Sequence, residues 1–164
     1  MRFLDAEFVQ GFIRMANDGW DLGWHERNGG NLSYRVKPEE VESVKENFEA
    51  KEWQPIGTSV PKLAGEYFLV TGSGKFFRNV IIKPEDSICM IELDDKGENY
   101  RIVWGLVNGG RPTSELPSHL MNHEVKMLPF GDVWEEYCLV CGTTESEWFA
   151  DVKKYEEEVL AKRV

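Results

Sequence analysis

The chain has 164 residues, 41% of them hydrophobic and 29% charged, the balance of a soluble globular protein long enough to bury one ordinary core. A formal net charge of −10 argues against a nucleic-acid groove and against adhesion to an anionic membrane, because both draw on clustered Lys and Arg. It leaves a small phosphorylated ligand open, since backbone amides bind phosphate without net positive charge, and Arg27, Lys75 and Arg78 offer local cations.

No apolar run reaches membrane-spanning length, and Asp5 and Glu7 stand where a signal peptide would be apolar. The odd set Cys89, Cys138 and Cys141 fits a reducing cytoplasm better than a disulfide scaffold.

Phe8, Phe12, Met15 and Ala16 recur at helical spacing, with Asp5 as the expected cap and Gly19 or Gly23 as the stop. Leu32 to Val36 alternates and reads as a strand. Pro38 to Gln54 is charged and reads as a short surface helix, and Ile56 to Gly65 as a loop. Tyr67-Phe68-Leu69-Val70 is a buried-strand signal. Ser87–Leu93 and Tyr100–Trp104 form a hairpin around Asp94-Asp95-Lys96-Gly97. Glu115 to Val125 reads as a helix with Leu116, Leu120 and His123 on one stripe. A last helix over 144–162 carries Phe149, Val152, Tyr155, Val159 and Leu160 on one face. The composition changes near Lys126, which sets an expected boundary at 124–130.

Three segments carry candidate chemistry. Asn28-Gly29-Gly30-Asn31 reads either as a tight turn, the commoner use of such residues, or as a phosphate loop with amide donors. Thr71-Gly72-Ser73-Gly74-Lys75 follows a strand, where loops commonly hold ligands, though its spacing is not that of a Walker loop. Thr113-Ser114-Glu115 opens a helix, so Glu115 suits either the macrodipole or acid/base work. Glu115, His119 and His123 share a stripe, but residues eight apart sit about 12 Å apart along a helix axis. A polar helix face therefore accounts for them better than one metal site. The lone Cys138-x-x-Cys141 reads as a buried helical pair rather than as zinc or redox chemistry.

Residues 8 to about 123 resemble the N-terminal portion of the class II aldolase/adducin family, in its branch acting on L-rhamnulose 1-phosphate. Carrying the resemblance are Gly23-Trp24-His25-Glu26-Arg27-Asn28-Gly29-Gly30-Asn31-Leu32, the run Phe68-Leu69-Val70-Thr71-Gly72-Ser73-Gly74-Lys75-Phe76-Phe77-Arg78-Asn79-Val80, and Pro112-Thr113-Ser114-Glu115-Leu116-Pro117. The resemblance implies an α/β fold, a class II aldolase-like mixed sheet with flanking helices, here truncated. It implies a cytoplasmic lyase of L-rhamnose catabolism that reversibly cleaves L-rhamnulose 1-phosphate to dihydroxyacetone phosphate and L-lactaldehyde. Asn28, Asn31, Ser73, Thr113 and Ser114 would hold the phosphate and neighbouring oxygens, with Gly30, Thr71, Gly72 and Gly74 as further substrate-binding positions. Glu115 would match the carboxylate that exchanges a proton at the carbanion carbon.

The family's cofactor is zinc, held by a His-x-His pair downstream of this glutamate and by a third histidine. This sequence has histidines at 25, 119 and 123 and no such pair, so no zinc is expected in this chain and it is expected to be inactive alone. A lysine Schiff base at Lys75 is the weaker substitute. The tail instead resembles the C-terminus of the L-rhamnose isomerase family, through Leu128-Pro129-Phe130-Gly131-Asp132-Val133-Trp134-Glu135-Glu136-Tyr137-Cys138 and Trp148-Phe149-Ala150-Asp151-Val152-Lys153-Lys154-Tyr155-Glu156. The implied organisation is an incomplete sugar-phosphate-binding domain over 1–125 and a helical tail over 126–164. The alternative is a non-catalytic sugar-phosphate-binding remnant, or a chimeric fragment with an interaction helix. An apolar stripe on that helix predicts self-association, relieved by Val152→Lys with Leu160→Lys.

Overall fold

The computed structural model describes residues 1–23, 27 and 29–126, and the fold below is that of the compact unit Met1–Leu120. Five strands form one sheet: β1 (Ser33–Val36), β2 (Gln54–Pro55), β3 (Tyr67–Thr71), β4 (Ile88–Leu93) and β5 (Asn99–Gly105). Their order is β1-β3-β4-β5-β2, and every pairing is antiparallel. The α/β class is as expected, with antiparallel neighbours throughout the described sheet.

Helix α1 (Glu7–Asp21) buries Val9, Phe12, Ile13, Ala16 and Gly19, the three-to-four spacing that puts apolar residues on one face. Its buried stripe runs through Val9 and Ile13 rather than Met15, which is 55% exposed. Asp5 does not cap the helix: Ala6 holds that position, and the Asp5 carboxylate pairs with Arg2 at 2.7 and 2.8 Å. The chain passes through Gly19 and turns at Gly23, whose N–H donates to the Trp20 carbonyl at 2.9 Å. Helix α2 (Pro38–Val44) starts with proline at its first position, where no N–H is missed, and the Glu40 carboxylate accepts the Lys37 N–H at 2.9 Å. It buries Val41 and Val44 and ends well before Gln54.

Two four-residue helices, α3 (Phe77–Val80) and α4 (Pro84–Ser87), fill the link from β3 to β4. They are too short to show a period in sequence. The last described helix, α5, spans Leu116–Lys126 and buries Leu116 and Leu120.

Strands β3 and β4 are buried almost continuously, so they read as apolar runs rather than as alternation. Leu69, Ile88, Met90, Val103 and Val36 join one cluster with Phe3, Val9, Phe12, Ile13, Val41, Val44, Phe77 and Val80 from the N-terminal turn and helices. Phe3 also stacks on Trp104 at 3.9 Å between ring centroids. The alternate residues Phe68, Val70, Cys89, Ile91 and Leu93 are buried too. The segment 56–65, read as a loop, contributes Ile56, Val60 and Leu63 to the buried set.

The β4–β5 hairpin closes as its sequence indicates. Asp94 accepts N–H bonds from Lys96 at 3.2 Å and Glu98 at 2.9 Å, and a side-chain bond from Asn99 at 2.6 Å. Desolvation raises the Asp94 carboxyl, but the donated bonds outweigh it and bring it down to about 2. A carboxyl depressed on folding stabilises the protein above its unfolded value, near 3.9, and loses that contribution as pH falls toward about 2. Wild-type stability should therefore fall more steeply between about pH 4 and 2 than that of Asp94→Asn. Urea unfolding at a series of pH values measures this, and parallel curves would contradict it.

Candidate functional site

Strand β3 runs directly into Thr71-Gly72-Ser73-Gly74, and two other segments are tied to that point by hydrogen bonds. On one side the Thr71 N–H donates to the Leu32 carbonyl at 3.1 Å, and the Leu32 N–H donates to Thr71 Oγ1 at 3.0 Å. This fixes the strand entry just after Asn31. On the other side Gly72 pairs with Pro112 as an isolated antiparallel bridge. The Ser73 N–H donates to the Arg111 carbonyl and the Thr113 N–H to the Thr71 carbonyl, each at 2.8 Å. Residues 30–32, 71–74 and 111–115 therefore meet at one end of the sheet. Asn28 lies outside the described residues.

Within this end the named residues divide into a framework and a rim. Thr71, Gly72 and Thr113 are buried. The Gly72 N–H is taken by the Ser87 carbonyl at 2.8 Å, and Thr113 Oγ1 accepts the Glu115 N–H at 3.2 Å, opening α5. A Cβ on Gly72 would sit 2.7 Å from a Leu106 methyl and 2.9 Å from Lys75 Cγ, so a side chain there would have to push both side chains aside. Ser73, Gly74, Ser114 and Glu115 are exposed, and Gly30 and Asn31 are half-buried. In the second loop the N–H groups of Thr71, Gly72 and Ser73 are committed to carbonyls, and Ser73 and Gly74 stand exposed at the rim.

Lys75 also departs from its sequence reading. Its Nζ bonds Asp86 at 3.1 Å, with both side chains about three-quarters buried. Its charge is matched, and the pair holds the Asp86 carboxyl below its usual value.

One residue that the sequence places on a polar helix face comes to this same end of the sheet. His119, one turn beyond Glu115, places Nε2 2.5 Å from Asn31 Oδ1 and Nδ1 2.7 Å from Ser33 Oγ. It is half-buried, and burial lowers its pKa against the opposing pull of Glu115. Its partners lie more than eighty positions upstream, so no local pattern signals them.

Residues 10–127 match the family described as Class II Aldolase and Adducin N-terminal domain. The chain belongs to this family. It is 51% identical over 129 residues to the rhamnulose-1-phosphate aldolase of Mannheimia succiniciproducens, covering 78% of this chain and 47% of that protein. The rhamnulose-1-phosphate aldolase of Pectobacterium atrosepticum is 48% identical over 125 residues, covering 76% and 46%. Among solved structures, a sugar-phosphate aldolase from Thermotoga maritima aligns with a TM-score of 0.57 and 30% identity, over 72% of this chain and 46% of that one. The chain spans about half the length of the curated relatives it matches.

Residues 111–163 match a second family, L-rhamnose isomerase. That match starts upstream of residue 126, where the sequence resemblance begins, and overlaps the aldolase match over 111–127. The expected helix over 144–162, its self-associating face and the Cys138–Cys141 pair lie outside the described residues. No helix among the described residues is long and apolar enough to cross a membrane.

Class II aldolases are usually zinc-dependent. The described residues do not fit such an ion: no group of three or more His, Cys, Asp or Glu among them is placed to hold one. Both ring nitrogens of His119 are already engaged, by Asn31 and Ser33.

Proposed function

We propose that this chain binds a phosphorylated sugar or dihydroxyacetone phosphate at the end of the sheet where residues 30–32, 71–74 and 111–115 meet. On this reading it is the substrate-holding part of a rhamnulose-1-phosphate aldolase-like lyase and does not complete the cleavage alone. The convergence of those three segments carries the reading, because a phosphate site needs several donors around one anion. Asn31, Ser73 and Ser114 would supply side-chain donors. Glu115 would exchange a proton with the substrate carbon next to the carbonyl.

Retro-aldol cleavage leaves negative charge on an enediolate oxygen, and that charge needs an electrophilic partner in the transition state. The ligand set for a Lewis acid is not among the described residues, which is the ground for proposing binding without turnover. Residues 1–125 would form this binding domain and 126–164 an appendage to it.

Two measurements test the reading. Calorimetric titration of the full chain with dihydroxyacetone phosphate should give saturable binding. A coupled assay for L-lactaldehyde from L-rhamnulose 1-phosphate should stay at the protein-free rate, with or without added zinc. No binding would remove the site, and zinc-dependent cleavage would remove the claim of inactivity. Metal analysis should find no stoichiometric zinc; one zinc per chain, lost in His119 or His123 variants, would contradict that.

A further inference from the structure

We infer that His119 is a positioning residue that orients the Asn31 amide so that its NH2 group, not its carbonyl oxygen, is offered to the ligand phosphate. This rests on the proposed phosphate site.

The geometry assigns the roles. Asn31 Oδ1 has lone pairs and no proton, so at 2.5 Å His119 Nε2 must donate to it. In the neutral ring the other nitrogen then accepts, and the Ser33 hydroxyl 2.7 Å away donates to Nδ1. Ser33 begins β1 and is paired with Val70, so the imidazole is referenced to the sheet rather than to a loop. With Oδ1 held, the amide turns its two N–H donors the other way. Without that restraint the amide can rotate end for end, and its oxygen would face an anion. Helix α5 thus links the rim residue Glu115 and the rim residue Asn31 through one turn: the His119 N–H donates to the Glu115 carbonyl at 3.0 Å.

The variants separate positioning from bulk structure. His119→Gln carries an amide N–H toward the Nε2 position, whereas His119→Asn reaches only toward Nδ1, and His119→Leu has no donor. Dihydroxyacetone phosphate, titrated calorimetrically into each full-length variant, is the probe. His119→Leu and His119→Asn should weaken binding by about tenfold or more, the scale of a hydrogen bond to a charged group, while His119→Gln should stay within about threefold of wild type. In an Asn31→Ala background, His119→Leu should cause no further loss, because its effect passes through Asn31. The Asn31 side-chain amide resonances should shift on ligand addition in wild type and His119→Gln but not in His119→Leu. Should His119→Leu fail to fold, the Gln and Asn pair carries the same contrast.

Wild-type affinity in His119→Leu or His119→Asn, with binding still lost in Asn31→Ala, would overturn the inference and leave the phosphate site standing. A further tenfold loss from His119→Leu on top of Asn31→Ala would do the same, by showing a general structural role. Absence of binding in the wild type would overturn both.

Discussion

Gly105→Ala is expected to destabilise the protein by about 3 kcal/mol or more, enough to remove much of a single domain's margin. Two costs add. Gly105 has φ +87°, a conformation that a side chain strains by about 1 kcal/mol or more. The added methyl would also lie 2.3 Å from the Ile88 carbonyl oxygen and 2.9 Å from Cys89 Cα. Both are backbone atoms of β4, the middle strand of the sheet, so no flexible side chain can move aside. Relief requires shifting β4, which carries the buried Ile88, Cys89 and Met90. Gly109→Ala isolates the first cost: φ is +85°, yet nothing lies within 4 Å of the new methyl. That variant should lose only about 1 kcal/mol. Urea unfolding of the pair, with slopes checked for constancy, measures the difference. Equal midpoints would mean that the steric term is absent.

Features that depend on neighbours in sequence were legible. The β4–β5 hairpin follows from Asp94-Asp95-Lys96-Gly97, whose aspartate collects the turn's N–H groups. The apolar run Tyr67–Val70 marks the strand that lies between β1 and β4. The failures trace to contacts that sequence does not carry. Periodicity located α1 but admitted Met15 to the buried stripe, since the face is chosen by the sheet that packs on it. Asp5 looked like a cap, yet Arg2 three residues earlier took its carboxylate. In the second glycine loop, pairing with Ser87 and Arg111 takes up the N–H groups of Gly72 and Ser73, contacts that composition does not show. His119 was the most consequential miss. Its role depends on β1 and α5 meeting, which the aldolase-like motifs imply only as a whole.

Thr71 was read as a substrate contact, and its hydrogen bonds instead predict a framework role with a distinct signature. Its hydroxyl accepts the Leu32 N–H at 3.0 Å, and its backbone carbonyl accepts the Thr113 N–H at 2.8 Å. The side chain is 2% exposed, leaving little surface for a ligand. Thr71→Val keeps the shape but removes the acceptor, so the part-buried Leu32 N–H loses its partner. An unmet buried donor costs about 1–3 kcal/mol, and Thr71→Val should lose stability on that scale, whereas Thr71→Ser, which keeps the oxygen, should lose under about 1 kcal/mol. Because Leu32 adjoins Asn31, affinity for dihydroxyacetone phosphate should fall together with stability in the valine variant. A direct ligand contact would behave differently: Thr71→Val would weaken binding with its unfolding midpoint unchanged. Measuring both quantities on the same two variants decides between a residue that touches phosphate and one that holds in place the loop that does.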